Sequence, residues 1–288
     1  MEEILVSVII PFYNNDETIR GAVQSVIEQT ICHDVAGFGS DRTDVAGFGS
    51  DRTDAAASVS DGSVIKRNVE IIIVDASLSL NREYLKGLGR LLPIRIVKKN
   101  RKIDAAIARN LGVRAARGEY VAFLDADDWW EKDKLSSAIS LFEEKKDDRE
   151  LKLVFTARRL CKEDGEKTEK VINAPQKVTY KELLKSNYIS CSSVVMKKDT
   201  AMNCPMRSGN IHEDYLCWLE LFKDGGYAAG IDKPYLNYRS YRSSRSGSKF
   251  GSAVMTYRTY KRAGFGFVKR MGCMMRYTVN GMKKYKIV

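Results

Sequence analysis

The 288 residues are 44% hydrophobic, enough for a sizeable core, and this excludes a globally disordered chain. Six cysteines without a C-x-x-C pair and only two histidines, His33 and His212, exclude a zinc-type ligand set and predict free thiols in a reducing compartment. The net charge of +11 belongs to the tail: residues 233–288 hold 14 Lys/Arg and no acid, against 34 basic and 37 acidic residues before them, so a phosphate-bearing partner is expected there.

The start, Met1-Glu2-Glu3, lacks the basic residues of a secretory signal, and no stretch approaches the roughly 18 apolar residues of a membrane span. A cytoplasmic location is expected, free or on the cytoplasmic face of a membrane. Residues 5–11 form a short apolar, β-branched run that predicts a buried strand. Asn14 and Glu17 then stand at capping-box spacing, before Ile19, Ala22, Val23, Val26 and Ile27 at helical period.

Residues 34–43, Asp-Val-Ala-Gly-Phe-Gly-Ser-Asp-Arg-Thr, recur unchanged at 44–53, and a third copy decays after Asp54. Such a tandem repeat over residues 34–67 predicts an expanded surface loop. It connects a helix to a strand, which places it at the sheet edge opposite the one that binds ligands in open α/β sheets.

Strands are expected at 69–75, 94–97 and 120–125, with helices at 103–117, stopped by Gly118, and at 132–144. Alternating buried strands and helices predict an α/β, mainly parallel sheet covered on both faces. Beyond Leu151, strands at 152–160 and 191–198, a short helix at 180–187, a helix at 212–223 and an extended segment at 227–238 complete the sheet and one cleft wall.

Phe123-Leu-Asp125-Ala-Asp127-Asp128 places three carboxylates where an apolar strand ends. Crowded acids repel unless a cation joins them, and Mg2+ or Mn2+ sits between one or two carboxylates and substrate phosphates. The competing reading is a solvated loop with Asp128 capping the following helix. Asp75 also ends an apolar strand, and Pro11-Phe-Tyr13-Asn14 ends the first one. All three segments map to one sheet edge, where a carboxylate can accept from a base or ribose and an aromatic ring can stack.

Val8-Ile-Ile-Pro-Phe-Tyr-Asn14, Glu70-Ile-Ile-Ile-Val-Asp75, Ala108-Arg-Asn110 and Gly118-Glu-Tyr-Val-Ala-Phe-Leu-Asp-Ala-Asp-Asp128 occur in that order. This set resembles family 2 of the inverting glycosyltransferases, which have the GT-A fold. The resemblance covers residues 4–130 firmly and reaches about 240. It implies that Pro11, Tyr13 and Asp75 hold the nucleobase, that Arg109 lies on the nucleotide side, that Asp125 meets the ribose and that Asp127 binds a Mn2+ or Mg2+ ion. It further implies a catalytic base in His212-Glu213-Asp214, with Asp214 first and Glu213 second. The competing reading of that pair is helix N-terminal acids alone.

The expected reaction is a metal-assisted, inverting transfer of a hexosyl or N-acetylhexosaminyl group from a nucleoside diphosphate sugar, with UDP preferred, to a saccharide or lipid-linked acceptor. Two departures from the family pattern stand out. Asp75 is followed by Ala76-Ser77-Leu78-Ser79, and Tyr238-Arg239 by Ser240 with no histidine. A Ser/Arg segment, residues 244–246, is expected to close over the diphosphate. The rival readings are a nucleotidyltransferase, which lacks its Gly-rich loop here, and a binding module of the same fold without activity.

Residues 257–285 mix basic residues with Phe265, Phe267, Met271, Met274, Met275 and Tyr277. That suits an amphipathic segment on an anionic membrane surface, or a helix packed on the catalytic domain with a solvated basic face. The reading divides the chain into a catalytic domain over 1–240 and a basic helical extension over 241–288. Nucleic acid is not expected as a partner, because no nucleic-acid motif accompanies the charge.

Overall fold

The computed structural model describes residues 4–14, 16–32, 68–77, 85, 87–99, 101–241 and 249–286. The repeat at 34–67 and the Ser/Arg segment at 244–246 lie outside them. The first half alternates β1 (Val6–Phe12), α1 (Ile19–Ile27), β2 (Val69–Asp75), β3 (Ile94–Lys98), α2 (Ala105–Ala115), β4 (Tyr120–Phe123), β5 (Trp129–Trp130) and α3 (Lys134–Glu144). The second half adds β6 (Leu151–Cys161), β7 (Lys167–Ile172), β8 (Lys177–Val178), α4 (Tyr180–Leu183), β9 (Val195–Lys197), α5 (Lys198–Asn203), α6 (Glu213–Leu221) and β10 (Tyr227–Arg239). Two helices close the chain, α7 (Lys249–Arg262) and α8 (Phe267–Lys286).

One mixed sheet runs β3-β2-β1-β4-β9-β6-β10-β5, with β7 on β6 and β8 on β10. The first four strands are parallel, as is the β6–β10 pair, while β9 joins β4 and β6 antiparallel. Val6, Val8, Ile10, Ile71 and Ile73 face a core shared with α1 and α3. The alternate residues Ile9, Ile72 and Val74 face a second core with α2 and α6. Both faces of β1, β2 and β4 are buried, which is why these runs read as continuously apolar rather than alternating. Tyr260 and Cys273 from the C-terminal helices, and Phe265 from the turn between them, belong to the second core, and the Tyr260 ring stacks on Phe265 at 5.3 Å.

Several local expectations are corrected. Asn14 and Glu17 form no capping box. Thr18 holds the α1 cap position without a side-chain cap bond, and Asn14 turns the chain at φ 53°. The segment 191–198 starts as a single 3-10 turn, Cys191–Ser193, before β9.

Gly118 does not stop α2 in a left-handed conformation; the helix ends at Ala115, and Ala116 is extended. The glycine is there because β1 passes close by. A Cβ at 118 would lie 2.8–2.9 Å from the backbone at Ser7, Leu5 and Val6. The Gly118 amide donates to Ser7 Oγ (2.9 Å), and Ser7 Oγ donates to the buried Glu70 carboxylate (2.7 Å), which also accepts from the Arg117 amide. Backbone cannot yield as a side chain tip can. Gly118→Ala is therefore expected to cost about 1–3 kcal/mol, seen as a melting temperature lower by roughly 2–10 °C in a scanning melt. An unchanged melt would contradict the close approach.

Candidate active site

The parallel register sets the site's edge. Phe12 pairs with Asp75 and Asp75 with Lys98, so β1, β2 and β3 end level. β4 lies beside β1, and the Leu124 amide donates to Ile9 O at 3.0 Å as that strand gives way to its acidic loop. Pro11, Tyr13 and Asp75 thus share an edge with Asp125 and Asp127. Asp75 is buried, and its Oδ1 accepts from the Ser77 amide (2.9 Å) and hydroxyl (2.8 Å). That turn orders the chain just after β2. The Tyr13 ring is 40% exposed, and Lys102 Nζ sits 4.8 Å from its centre, leaving an aromatic surface with a cation beside it.

At the acidic loop, Arg109 rises from α2 and is buried. Its guanidinium donates to Asp125 Oδ1 at 2.6 Å and to Glu213 Oε1 at 3.2 Å. One arginine thereby joins the end of β4 to the start of α6. Burial opposes its charge, but Asp125, Cys191 and Glu213 keep the guanidinium protonated well beyond its ordinary range. The contacts of Arg109, expected on the nucleotide side, are these two carboxylates, Asp125 among them.

Asp128 does not cap the next helix, whose cap position is Asp133. It is buried, and its Oδ1 accepts from the Arg239 amide at 3.0 Å. Arg239, at the end of β10, also donates from Nε to Asp127 O (3.1 Å) and from Nη1 to Glu163 O (2.8 Å), and lies over the Trp129 ring at 5.4 Å. Burial, then the charges of Asp127 and Asp125, push the Asp128 carboxyl well up. The Asp127 carboxyl is pushed up to about 6, first by burial and then by Asp125. Ser192 supports the loop by accepting from the Asp125 amide at 3.2 Å. Sequence reading missed Arg239 and Ser192 as site residues; the Tyr238-Arg239 pair was visible, but its function as a brace depends on β10 lying beside the loop.

The third group opens α6. Glu213 is tied to Arg109, whereas Asp214 Oδ1 accepts from the Tyr215 amide at 2.7 Å. Burial, then the neighbouring Glu213, raises the Asp214 carboxyl above its ordinary range. A carboxyl raised in this way is a better proton acceptor than an ordinary aspartate. The turn before it is anchored from the tail: the His212 amide donates to Thr259 Oγ1 at 3.0 Å, and His212 Nε2 lies 3.3 Å from Ser252 O.

The donor set fits a divalent cation of the Mg2+ or Mn2+ kind. A carboxylate whose proton affinity is raised by burial and by a neighbouring acid, as Asp127 is beside Asp125, gains from a cation between it and the substrate. Among the described residues no group of three His, Cys, Asp or Glu side chains forms a ready metal cage. A metal held by one or two carboxylates and completed by substrate phosphates and water needs no such cage.

The description Glycosyl transferase family 2 matches residues 57–198. The chain is 30% identical over 283 residues, 97% of each chain, to TuaG of Bacillus subtilis (strain 168), named as a teichuronic acid biosynthesis glycosyltransferase. It is 27% identical, over 98% of this chain and 95% of the other, to WfaP of Escherichia coli, named a UDP-Glc:alpha-D-GlcNAc-diphosphoundecaprenol beta-1,3-glucosyltransferase. Among solved structures, S. aureus TarS 1-349 in complex with UDP-GlcNAc superposes with a TM-score of 0.62 at 14% identity, covering 99% of this chain and 76% of that one. A Pyrobaculum calidifontis mannosyltransferase in complex with GDP-Man and Mn2+ gives a TM-score of 0.60 at 15% identity, over 94% and 68% of the two chains.

Proposed function

The chain belongs to glycosyltransferase family 2, and on that footing we propose that it is a metal-dependent, inverting enzyme that transfers a sugar from a UDP-sugar to a hydroxyl of a lipid-linked saccharide in polysaccharide biosynthesis. The observation that carries the proposal is the continuous link from Asp125 through Arg109 to Glu213, with Asp214 next in line. It joins a donor edge rich in carboxylates to a base whose proton affinity is raised. UDP is favoured because WfaP is named for UDP-Glc and TarS was solved with UDP-GlcNAc. The lipid-linked acceptor is favoured by the diphosphoundecaprenol in the WfaP name.

In the proposed reaction Tyr13 and Asp75 hold the base, with Pro11 shaping the turn beneath it. Asp125, oriented by Arg109, accepts from the ribose. Asp127 would hold the divalent cation, whose positive charge would neutralise the diphosphate as it leaves. Asp214 takes the proton from the acceptor hydroxyl as that oxygen attacks the anomeric carbon. The diphosphate departs from the opposite face, so one displacement inverts the configuration and no covalent enzyme intermediate is needed. Arg109 keeps Glu213 occupied, which leaves Asp214 as the carboxylate for proton transfer.

Titration calorimetry with UDP, GDP and dTDP, each with and without Mn2+, tests the donor site. Tight binding of UDP that depends on Mn2+ is expected; a nucleotide affinity indifferent to metal would overturn the reading. The proton on Asp127 competes with the cation. Its raised pKa means the protonated form persists up to about pH 6. Mn2+ affinity in the presence of UDP is therefore expected to fall up to about tenfold per pH unit below about 6 and to level off above it. The same titration repeated between about pH 5 and 8 reads this, and a flat profile would contradict it.

A further inference from the structure

Among the described residues, five of the eight large hydrophobic side chains left exposed lie on one helix, α8: Phe267, Val268, Met271, Met275 and Val279. Val268 is 84% exposed and Met275 65%. Positions 268, 271, 275 and 279 recur at helical spacing and so form one stripe along the outside of the helix. The opposite side is already used. Cys273 is buried, the Tyr277 ring lies 5.8 Å from Tyr215, and Asn280 Nδ2 donates to Lys185 O at 3.1 Å. The stripe therefore faces outward because the inner face is committed to the protein core.

A solvated outer helix face is ordinarily polar, and a contiguous apolar stripe on one marks a docking surface. The charge around it names the occupant. Exposed Lys269 and Arg276 flank the stripe, exposed Arg258, Lys261 and Arg262 end the preceding helix, and no Asp or Glu occurs after Asp232. Apolar residues whose charged neighbours along the helix are all cations match the acyl boundary and headgroups of an anionic bilayer. No helix among the described residues is long and apolar enough to cross a membrane.

We propose that α8 docks this protein in the plane of an anionic lipid surface, with Val268, Met271, Met275 and Val279 entering the headgroup–acyl boundary and the flanking lysines and arginines meeting lipid phosphates. Docking there is mechanically joined to the proposed base. α8 is bonded to α7 through Arg270 Nη1 and Tyr257 OH at 3.0 Å, and α7 holds the His212 turn that precedes Glu213 and Asp214. The helix proposed to meet the membrane is thus linked by hydrogen bonds, through α7, to the turn that carries the proposed base. This inference goes beyond the proposed chemistry and does not depend on it.

The test is co-sedimentation of the full chain with phosphatidylcholine vesicles, with and without phosphatidylglycerol, at low and high salt. Wild type is expected to partition at least about tenfold more onto the anionic vesicles and to lose that gain at high salt. Val268→Asp with Met275→Asp is expected to lower anionic partitioning at least about tenfold, with melting temperature and Mn2+-dependent UDP binding unchanged. Val268→Ser with Met275→Gln provides the same reading should the charged pair disturb folding. Equal partitioning of wild type onto neutral and anionic vesicles, or no loss in either double variant, would overturn the proposal. So would a wild-type dimer in light scattering that the substitutions convert to monomer, since the stripe would then be a contact between copies.

Discussion

Asp214→Asn is expected to lower kcat by about 10²–10⁴-fold while UDP and Mn2+ bind as in wild type. The asparagine keeps the side chain's size and its acceptor oxygen for the Tyr215 amide, so the fold of the α6 turn is retained and the proton acceptor is lost. Glu213→Gln makes the contrast. Glu213 lies against Arg109, so its neutralisation frees one arm of the arginine that orients Asp125, and the donor KM is expected to rise together with the loss in kcat. The pH dependence has a definite sign. Burial and Glu213 raise the Asp214 carboxyl, so the active, ionised base forms at a higher pH than an ordinary aspartate would require. The acidic limb of kcat shifts upward accordingly. Wild-type turnover by Asp214→Asn with saturating donor would exclude this carboxylate as the base.

Asp127→Asn is expected to have two opposite effects. Without ligand, the folded protein holds a carboxyl near about 6 that would ionise near 3.8 in the unfolded chain. A folded pKa raised above the unfolded one means that the ionised carboxylate disfavours folding at any pH above that window. The gap corresponds to about 3 kcal/mol at neutral pH, and solvent reaching this half-buried loop reduces it to about 1–2 kcal/mol. Removing the charge should raise the apo melting temperature at neutral pH by roughly 2–8 °C, and the gain should shrink as pH falls from about 6 and be lost only below 3.8, where the carboxyl is protonated in the folded and the unfolded chain alike. With Mn2+ and UDP present the order reverses: wild type is stabilised by the ligands and the variant is not. A variant that melts no higher than wild type without ligand, yet still responds to Mn2+, would place the metal elsewhere.

These effects trace back to features of very different legibility. The strand at 69–75 could be read because a β-branched run bounded by turns has few alternatives, and the extended segment expected at 227–238 is β10. Asp75 and Asp125 stood out because a buried strand has no stability reason to end in an acid. The functions of the side chains behind them were not readable. Arg109 meets Glu213 across 104 residues, and Arg239 meets Asp128 across 111. Such pairs depend on the sheet order, in which β9 and β10 come to flank β4 and β6 through antiparallel and long-range pairings. Asp128 shows the ambiguity at its sharpest. An acid just before a helix reads as a cap, and the same residue serves as a buried acceptor once β10 supplies the Arg239 amide. Gly118 was noticed for the wrong cause, since a helix stop and a close strand crossing leave the same mark in a sequence. The tail's basic character was plain, but the outward direction of its apolar stripe followed only from which side Cys273 and Tyr277 occupy.

The most direct measurement is the proton NMR spectrum of the product formed from a UDP-α-hexose and a diphospholipid-linked saccharide in the presence of Mn2+. A new β-configured glycosidic linkage that appears in wild type, and is absent when the metal is chelated, is the expected result. An α-configured product, or transfer that proceeds undiminished without metal, would contradict a single displacement with Asp214 as base and a cation at Asp127.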